Sequence, residues 1–219
     1  VGAYLADAST SLVDSGVVYV LYGSKVTGAR SDVKLSVMTS PAGFRINGAN
    51  GGDGLGVRLS GAGDVNGDGA EDIVIGAFLA NPSVSGNVRT AAGVAYVLFG
   101  RKTSSLPVNL ASGIGTTNAP GFQILGAAAG DWMGFAVSGA GDLNDDGYAD
   151  VVVGAQKASV ANGVATMGVS YVIFGHAGTF TTVDLLTMKA GGSTGFRVLG
   201  TTSTASVQSG YALSSAGDA

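Results

Sequence analysis

The chain has 219 residues, of which 46% are hydrophobic and only 12% charged, with 38 glycines and no cysteine. That length allows one large domain or two small ones, and the hydrophobic share provides for a sizeable core and argues against disorder. A net charge of −4 with 11 scattered Lys and Arg excludes a nucleic-acid surface, the missing Cys excludes disulfides and thiolate metal sites, and no run is apolar for long enough to span a membrane.

From the first residue onward, short β-branched or aromatic runs are bounded by Gly, Asn and Ser, which reads as strands joined by turns. "VGAYLA" (1–6) is followed by "GVVYVLYG" (16–23), "GFRING" (43–48) and "LGVRLSGAGD" (55–64). An acidic stretch, "GDVNGDGAED" (63–72), leads into "IVIGA" (73–77), "GVAYVLFG" (93–100), "GFQILG" (121–126) and "MGFAVSGAGD" (133–142). The series then returns: "GDLNDDGYAD" (141–150), "VVVGA" (151–155), "GVSYVIFG" (168–175), "GFRVLG" (195–200) and "SGYALSSAGD" (209–218). Asp142 lies 78 residues after Asp64, and Asp218 lies 76 after Asp142. A fixed period of this kind marks a repeat architecture.

Each unit predicts four strands. "IVIGA" is apolar on successive residues, the mark of a strand buried on both faces. Glycine interrupts every candidate helix. Four-stranded sheets covered on both sides are expected when sheets stack around an axis. The expected fold is therefore all-β, with β-propeller blades of four antiparallel strands. About three blades are expected in this chain, as part of a larger ring or assembly. Residues 1–48 form a partial blade holding strands 2–4, 55–126 and 133–200 form blades, and 209–219 give the leading strand of a further blade. A short "VNL" at Val108, matched by "VKL" at Val33 and "VDL" at Val183, reads as either an extra edge strand or a turn.

The two acidic stretches share D-x-N-x-D-G-x-x-D. In the first, oxygens come from Asp64, Asn66, Asp68 and Asp72, with the backbone carbonyl of Ala70 as a fifth donor. In the second they come from Asp142, Asn144, Asp146 and Asp150, with the carbonyl of Tyr148. Gly69 and Gly147 allow the bend that brings the ninth position back. An all-oxygen set with three carboxylates suits a hard cation, and Ca2+ in two complete loops is the expected cofactor. Zinc and copper are disfavoured because the loops carry no His or Cys. An EF-hand fails at its twelfth position, where Ile75 and Val153 stand in strand patterns instead of Glu. The competing reading is a pair of Asx-rich surface turns.

"GDVNGDGAEDIVIGA" and "GDLNDDGYADVVVGA", with "MGFAVS" before the second, resemble FG-GAP repeats, the blades of the integrin α-subunit β-propeller. The Phe-Gly half is represented by Gly134–Phe135, Gly56–Val57 and Gly210–Tyr211, and the Gly-Ala half by Gly76–Ala77 and Gly154–Ala155. The closing Pro is replaced by Phe78 and Gln156. This resemblance implies a propeller fold, calcium in strand-to-strand loops and an extracellular or cell-surface setting. It implies adhesion or scaffolding far more than catalysis.

Other candidates are weaker. His176, the single histidine, has Gly, Ala and Thr around it and reads as a solvated loop residue. No Ser lies in a nucleophile elbow. Trp132 is expected to pack at a blade edge, with sugar stacking as the alternative. "GGDGLG" (51–56) lacks the Lys and helix of a phosphate loop and reads as a turn. Ser/Thr clusters at 102–105, 115–118, 179–182 and 201–206 read as polar loops or O-glycosylation sites. No catalytic residue and no enzymatic activity are expected within these residues. The expected partners are proteins or further blades, in the same chain or another copy, with a glycan as an alternative; neither nucleic acid nor membrane insertion is expected. The competing function is an accessory, glycan-binding module of a larger secreted enzyme.

Overall fold

A computed structural model describes residues 1–23, 32–38, 42–100, 108–114, 121–159, 167–188, 192–201 and 207–215. The first unit holds β1 (Gly2–Ala3), β2 (Val17–Leu21) and β3 (Gly43–Asn47). The second holds β4 (Leu59–Gly63), β5 (Asp72–Ala77), a small hairpin of β6 (Ser83–Val84) and β7 (Asn87–Val88), then β8 (Val94–Leu98), β9 (Val108–Asn109) and β10 (Gly121–Leu125). The third holds β11 (Met133–Gly141), β12 (Asp150–Ala155), β13 (Val169–Ile173), β14 (Val183–Asp184) and β15 (Gly195–Leu199). Among the described residues there is no α-helix, only 3-10 turns at Leu35–Val37 and Leu110–Ser112, and no helix is long and apolar enough to cross a membrane.

The sheets are blade-like. β4-β5-β8-β10 and β11-β12-β13-β15 are four-stranded antiparallel meanders, and β1-β2-β3 is the corresponding sheet of the first unit. The expected four strands per unit are thus present in the second and third units. The segment at 209–219, expected to hold a leading strand, has a turn and a bend over 209–212 and no strand among its described residues; the acidic start at Asp218 lies outside them.

The V-x-L segments resolve into something more specific than a turn. β9 adds to the first sheet, parallel to β3, with Ile46 opposite Val108. β14 adds to the second sheet, parallel to β10, with Ile124 opposite Val183. Each of these units thus lends a short parallel strand to the outer edge of the preceding blade. Arg89 locks the second of these straps. Its Nη1 and Nη2 donate to the two carboxylate oxygens of Asp184 on β14 at 2.7 and 3.0 Å, and Nη1 also donates to the carbonyl of Gly126 at 2.7 Å.

Burial on both faces is explicit in β8. Val94, Tyr96 and Leu98 face a core shared with Val18 and Ile46 of the preceding unit, while Ala95 and Val97 face a core shared with Val137, Val151 and Val153 of the next. The same split occurs at adjacent residues of β5, where Val74 belongs to one core and Ile75 to the other. The apolar runs therefore tie neighbouring sheets together face to face, at about 1.5–3 kcal/mol per fully buried Val or Ile.

Glycines set how closely the sheets approach. Gly56, Gly134 and Gly210 have φ of 88°, 84° and 79°, the left-handed region that disfavours other residues. Their backbones lie against Gly2, Gly76 and Gly154 of the preceding blade, so that a Cβ on any of these three would overlap a carbonyl oxygen. The residues around 209–211 therefore occupy, against the third blade, the place that Met133–Gly134 occupies against the second.

Candidate metal centre and the blade-to-blade loops

The acidic loops connect β4 to β5 and β11 to β12. Asp64 accepts the backbone N–H of Asp68 at 3.0 Å and of Gly69 at 2.8 Å. Asn66 accepts the N–H of Asp68 at 2.9 Å, and its own amide donates to the Asp68 carboxylate at 3.1 Å. Asp68 also accepts the N–H of Ala70 at 2.8 Å. The second loop repeats most of this pattern. Asp142 accepts from Asp146 at 3.0 Å and Gly147 at 2.7 Å, Asn144 donates to Asp146 at 2.9 Å, and Asp146 accepts from Tyr148 at 3.0 Å. Gly69 and Gly147, at φ of 81° and 90°, make the bend.

The ninth positions behave differently from the rest. Asp72 and Asp150 are fully buried at the starts of β5 and β12. Asp72 accepts the N–H of Val65 at 2.9 Å and of Gly100 at 2.8 Å, so one side chain ties the loop to the end of β8. Asp150 does the same with Leu143 at 2.8 Å and Gly175 at 2.9 Å. Burial pushes the Asp72 carboxyl up to about 6; the N–H bonds from Gly100 and Val65 oppose this, and the charges of Asp68 and Asp64 add to it. Asp150 is raised for the same reasons, burial first, with Asp146 and Asp142 adding to it.

All ten sequence-predicted donors thus fall in two loops of like geometry. Among the described residues, no three His, Cys, Asp or Glu side chains converge as a ready-made metal cage. The acidic oxygens are instead directed to backbone N–H groups. Each carboxylate oxygen has a second lone pair, so these bonds leave acceptor capacity. Nor is the loop charge neutralised from within: among the described residues the one ion pair is Arg89–Asp184. The donor chemistry, all hard oxygen and net negative, fits a calcium-type cation better than any transition metal.

The two loops also touch. Ala149 donates to the Asp64 carbonyl at 3.0 Å, and the His176 N–H donates to the Val65 carbonyl at 3.1 Å. Gly67 lies under the Tyr148 ring, where an added Cβ would come within 2.5 Å of Cε1. Sequence spacing alone treats the loops as separate, whereas the fold joins them.

His176 is exposed, with its ring stacked on Phe180 at a centroid separation of 3.9 Å and Nδ1 2.8 Å from the Ala177 carbonyl. Trp132 packs edge-on against Phe78 at 5.4 Å, and Lys157 Nζ sits 3.0 Å over its ring. The Ser/Thr clusters at 102–105 and 115–118 lie outside the described residues, as does most of 201–206.

A second repeated pair of acids stands apart from the loop motif. Asp53 and Asp131 are 78 residues apart, the same period as the acidic loops, and both are buried. Asp131 accepts the Ala128 N–H at 3.0 Å, and Asp53 accepts the Asn50 amide at 3.1 Å. Burial raises both carboxyls, that of Asp131 to about 6. Their charges act on Tyr96 and Tyr171, raising the phenols further above the level that burial sets, to about 12 for Tyr171. Sequence reasoning aimed at the loops misses this pair; the shared period of 78 is the signal that finds it.

Residues 133–172 match the family model of the FG-GAP repeat. The match runs from the start of β11 into β13 and contains the second acidic loop. It supports the resemblance read from the motifs and a propeller-type protein-interaction module as the coarse function. No curated protein matches the chain.

Proposed function

We propose that this chain is a calcium-binding, non-enzymatic propeller segment that serves adhesion, protein interaction or structural assembly outside the cell. The observation that carries the reading is the double occurrence of one oxygen-only loop. Five donor positions recur at the same offsets, Asp64 to Asp72 and Asp142 to Asp150, with no cationic side chain paired to them among the described residues. A divalent cation would offset the repulsion between these carboxylates and hold strand-to-strand loops that join neighbouring blades. Asp64, Asn66, Asp68 and Asp72, with the Ala70 carbonyl, would hold one ion, and Asp142, Asn144, Asp146 and Asp150, with the Tyr148 carbonyl, the other. An extracellular setting suits this use, because millimolar calcium there saturates modest sites. Isothermal titration of the chelator-treated chain with calcium is the test. Two sites with dissociation constants at or below about 1 mM are expected; no heat of binding, with magnesium and calcium equally silent, would remove the proposal.

One observation favours the second reading, a glycan-binding accessory module of a secreted enzyme. A pocket of about 370 Å3 lies between the first two blades, where Asp53, Asn50, Asn81, Tyr96 and Gln123 contribute polar groups beside apolar walls. Binding of a soluble saccharide panel, read by chemical-shift changes at these residues, separates this reading from the first.

A further inference from the structure

One cross-strand pair recurs in all three sheets. Tyr19 stands opposite Arg45, Tyr96 opposite Gln123 and Tyr171 opposite Arg197. Residues placed in this way are neighbours on one face of a sheet. The second blade thus has a neutral side chain where the other two have a guanidinium. Tyr96 and Tyr171 belong to the cores shared with the preceding sheet, and the charges of Asp53 and Asp131 reach their phenols. In the third blade the Arg197 charge reaches the same phenol and opposes that of Asp131. In the second blade, among the described residues, no cation does so for Asp53.

A cavity lies at this position. Gln is shorter than Arg, and the pocket of about 370 Å3 between the first two blades opens beside Gln123, within the size range of small-ligand sites. Asp53, Asn50, Tyr96 and Gln123 line it, with Leu110 and Leu125 among its apolar walls.

The polar lining is rich in acceptors. Asn50 donates its side-chain amide to the Asp53 carboxylate at 3.1 Å, and Gln123 donates its own to the Thr182 hydroxyl at 3.3 Å. Both amides therefore spend donors on the protein, and their carbonyl oxygens and the further lone pairs of Asp53 are acceptors. Asp53 is 2% exposed and, among the described residues, forms no ion pair. Burial holds its carboxyl above the usual range, a cost that a cation in the pocket would offset. A planar, positively charged group that only donates hydrogen bonds matches this set. A saccharide matches it less well, because its hydroxyls both donate and accept and bring no charge to Asp53.

We infer that this pocket binds an alkyl-guanidinium group, free or on an arginine side chain of a partner protein, which pairs with Asp53 and takes beside Tyr96 the place that Arg197 takes beside Tyr171. The repeat carries the assignment, since two sheets of three supply this cation from their own sequence. None of the pocket residues is a candidate donor of the acidic loops, so binding here does not depend on calcium there.

The probes are acetyl-arginine amide, its uncharged isostere acetyl-citrulline amide, and free arginine. Each is titrated into the isotope-labelled chain in calcium buffer and followed by chemical-shift changes at Asn50, Tyr96 and Gln123. The arginine amide is expected to bind with a dissociation constant of about 1–10 mM, and the citrulline amide about tenfold more weakly or worse. Asp53→Asn, which keeps an acceptor for Asn50, should weaken the arginine amide about tenfold or more. Gln123→Arg, which brings the chain's own guanidinium to the pocket, should do the same. Gln123→Glu, nearly isosteric with the wild type at a half-buried position, should instead tighten binding about threefold or more. Circular dichroism verifies that each variant is folded. Free arginine binding at least as tightly as the amide makes the natural ligand a small molecule, whereas tighter binding of the amide makes it an arginine within a polypeptide. Equal binding of the arginine and citrulline amides overturns the inference, as does the absence of shifts at about 20 mM of the arginine amide, or affinity unchanged by both Asp53→Asn and Gln123→Glu. Shifts produced at these residues by saccharides and by neither arginine probe would give the pocket to a glycan and overturn the guanidinium as its ligand.

Discussion

Gly76 and Gly134 meet backbone to backbone. Gly76 lies in the "IVIGA" strand of one blade and Gly134 opens the leading strand of the next, and a Cβ on Gly76 would overlap the Gly134 carbonyl oxygen. The same meeting occurs between Gly2 and Gly56 and between Gly154 and Gly210. The two halves of the sequence motif are therefore the two sides of one inter-blade contact, which is why both are built around glycine.

Gly76→Ala is expected to destabilise the fold by about 3 kcal/mol or more, because the added methyl meets backbone that cannot rotate away. Gly61→Ala is the control: it lies in β4, and nothing stands within 4 Å of the place its Cβ would take. That change should stay within about 1 kcal/mol of wild type, on either side. Urea unfolding of the two variants checks the difference; equal midpoints would mean that the close approach does not limit the fold.

Arg89 and Asp184 are 11% and 17% exposed and joined by two hydrogen bonds. Removing one partner leaves a largely buried charge alone, so Arg89→Ala is expected to cost about 3–5 kcal/mol. Replacing both, as Arg89→Met with Asp184→Leu, should recover much of that loss. A double-mutant cycle by denaturant melting measures the coupling, and additive losses would show that the strap is held by its backbone alone.

Asp131 makes stability depend on pH. Its carboxyl is raised by burial from 3.8 to about 6 in the folded chain. Between those values the native state keeps a proton that the unfolded chain has released, so stability falls as pH rises through this window. The favourable effect is complete below pH 3.8 and lost above about pH 6, a change of roughly 2–3 kcal/mol. Asp131→Asn keeps an acceptor for the Ala128 N–H and removes the titration. The wild-type minus variant difference in unfolding free energy should therefore slope downward from pH 4 to pH 6 and then level off. A flat difference would contradict the burial argument.

Much of the fold is legible in the sequence because the repeat puts the same residues at the same offsets. "GVAYVLFG" gives β8 and "GVSYVIFG" gives β13, and their uninterrupted apolar runs anticipate cores on both faces. The candidate metal donors stand out as motif positions. What the sequence does not reveal is long-range. Arg89 and Asp184 are 95 residues apart with no shared motif, and V-x-L alone does not reveal that its partner is the preceding blade. That Asp72, a candidate donor by its motif position, is also a buried link to Gly100 depends on burial, which a loop motif does not encode. Residues 209–212 carry a strand-like pattern but form a turn and a bend.

Calcium should raise the melting temperature. With a dissociation constant of about 0.1 mM and about 1 mM calcium, each loop would add about 1.4 kcal/mol. Against a typical stability of about 5–15 kcal/mol, two loops give a shift of several degrees. Thermal melting in calcium and in excess chelator is the measurement, and an unchanged midpoint would leave the loops as turns closed by their own carboxylates.

Asp68→Ala tests whether the loops act singly. The side chain accepts from Ala70 and Asn66 within its own loop. Its loss should abolish one calcium site of two. The loops meet through the backbone bond from Ala149 to the Asp64 carbonyl and through the Tyr148 ring over Gly67. A loosened first loop should therefore weaken the second site by a few-fold without removing it. The mirror variant, Asp146→Ala, removes the second site and should weaken the first by a few-fold without removing it. Calorimetric titration of both variants, with circular dichroism to verify the fold, gives the two factors. Loss of both sites in a folded variant would mean that Asp68 and Asp146 serve one shared site instead of two neighbouring ones.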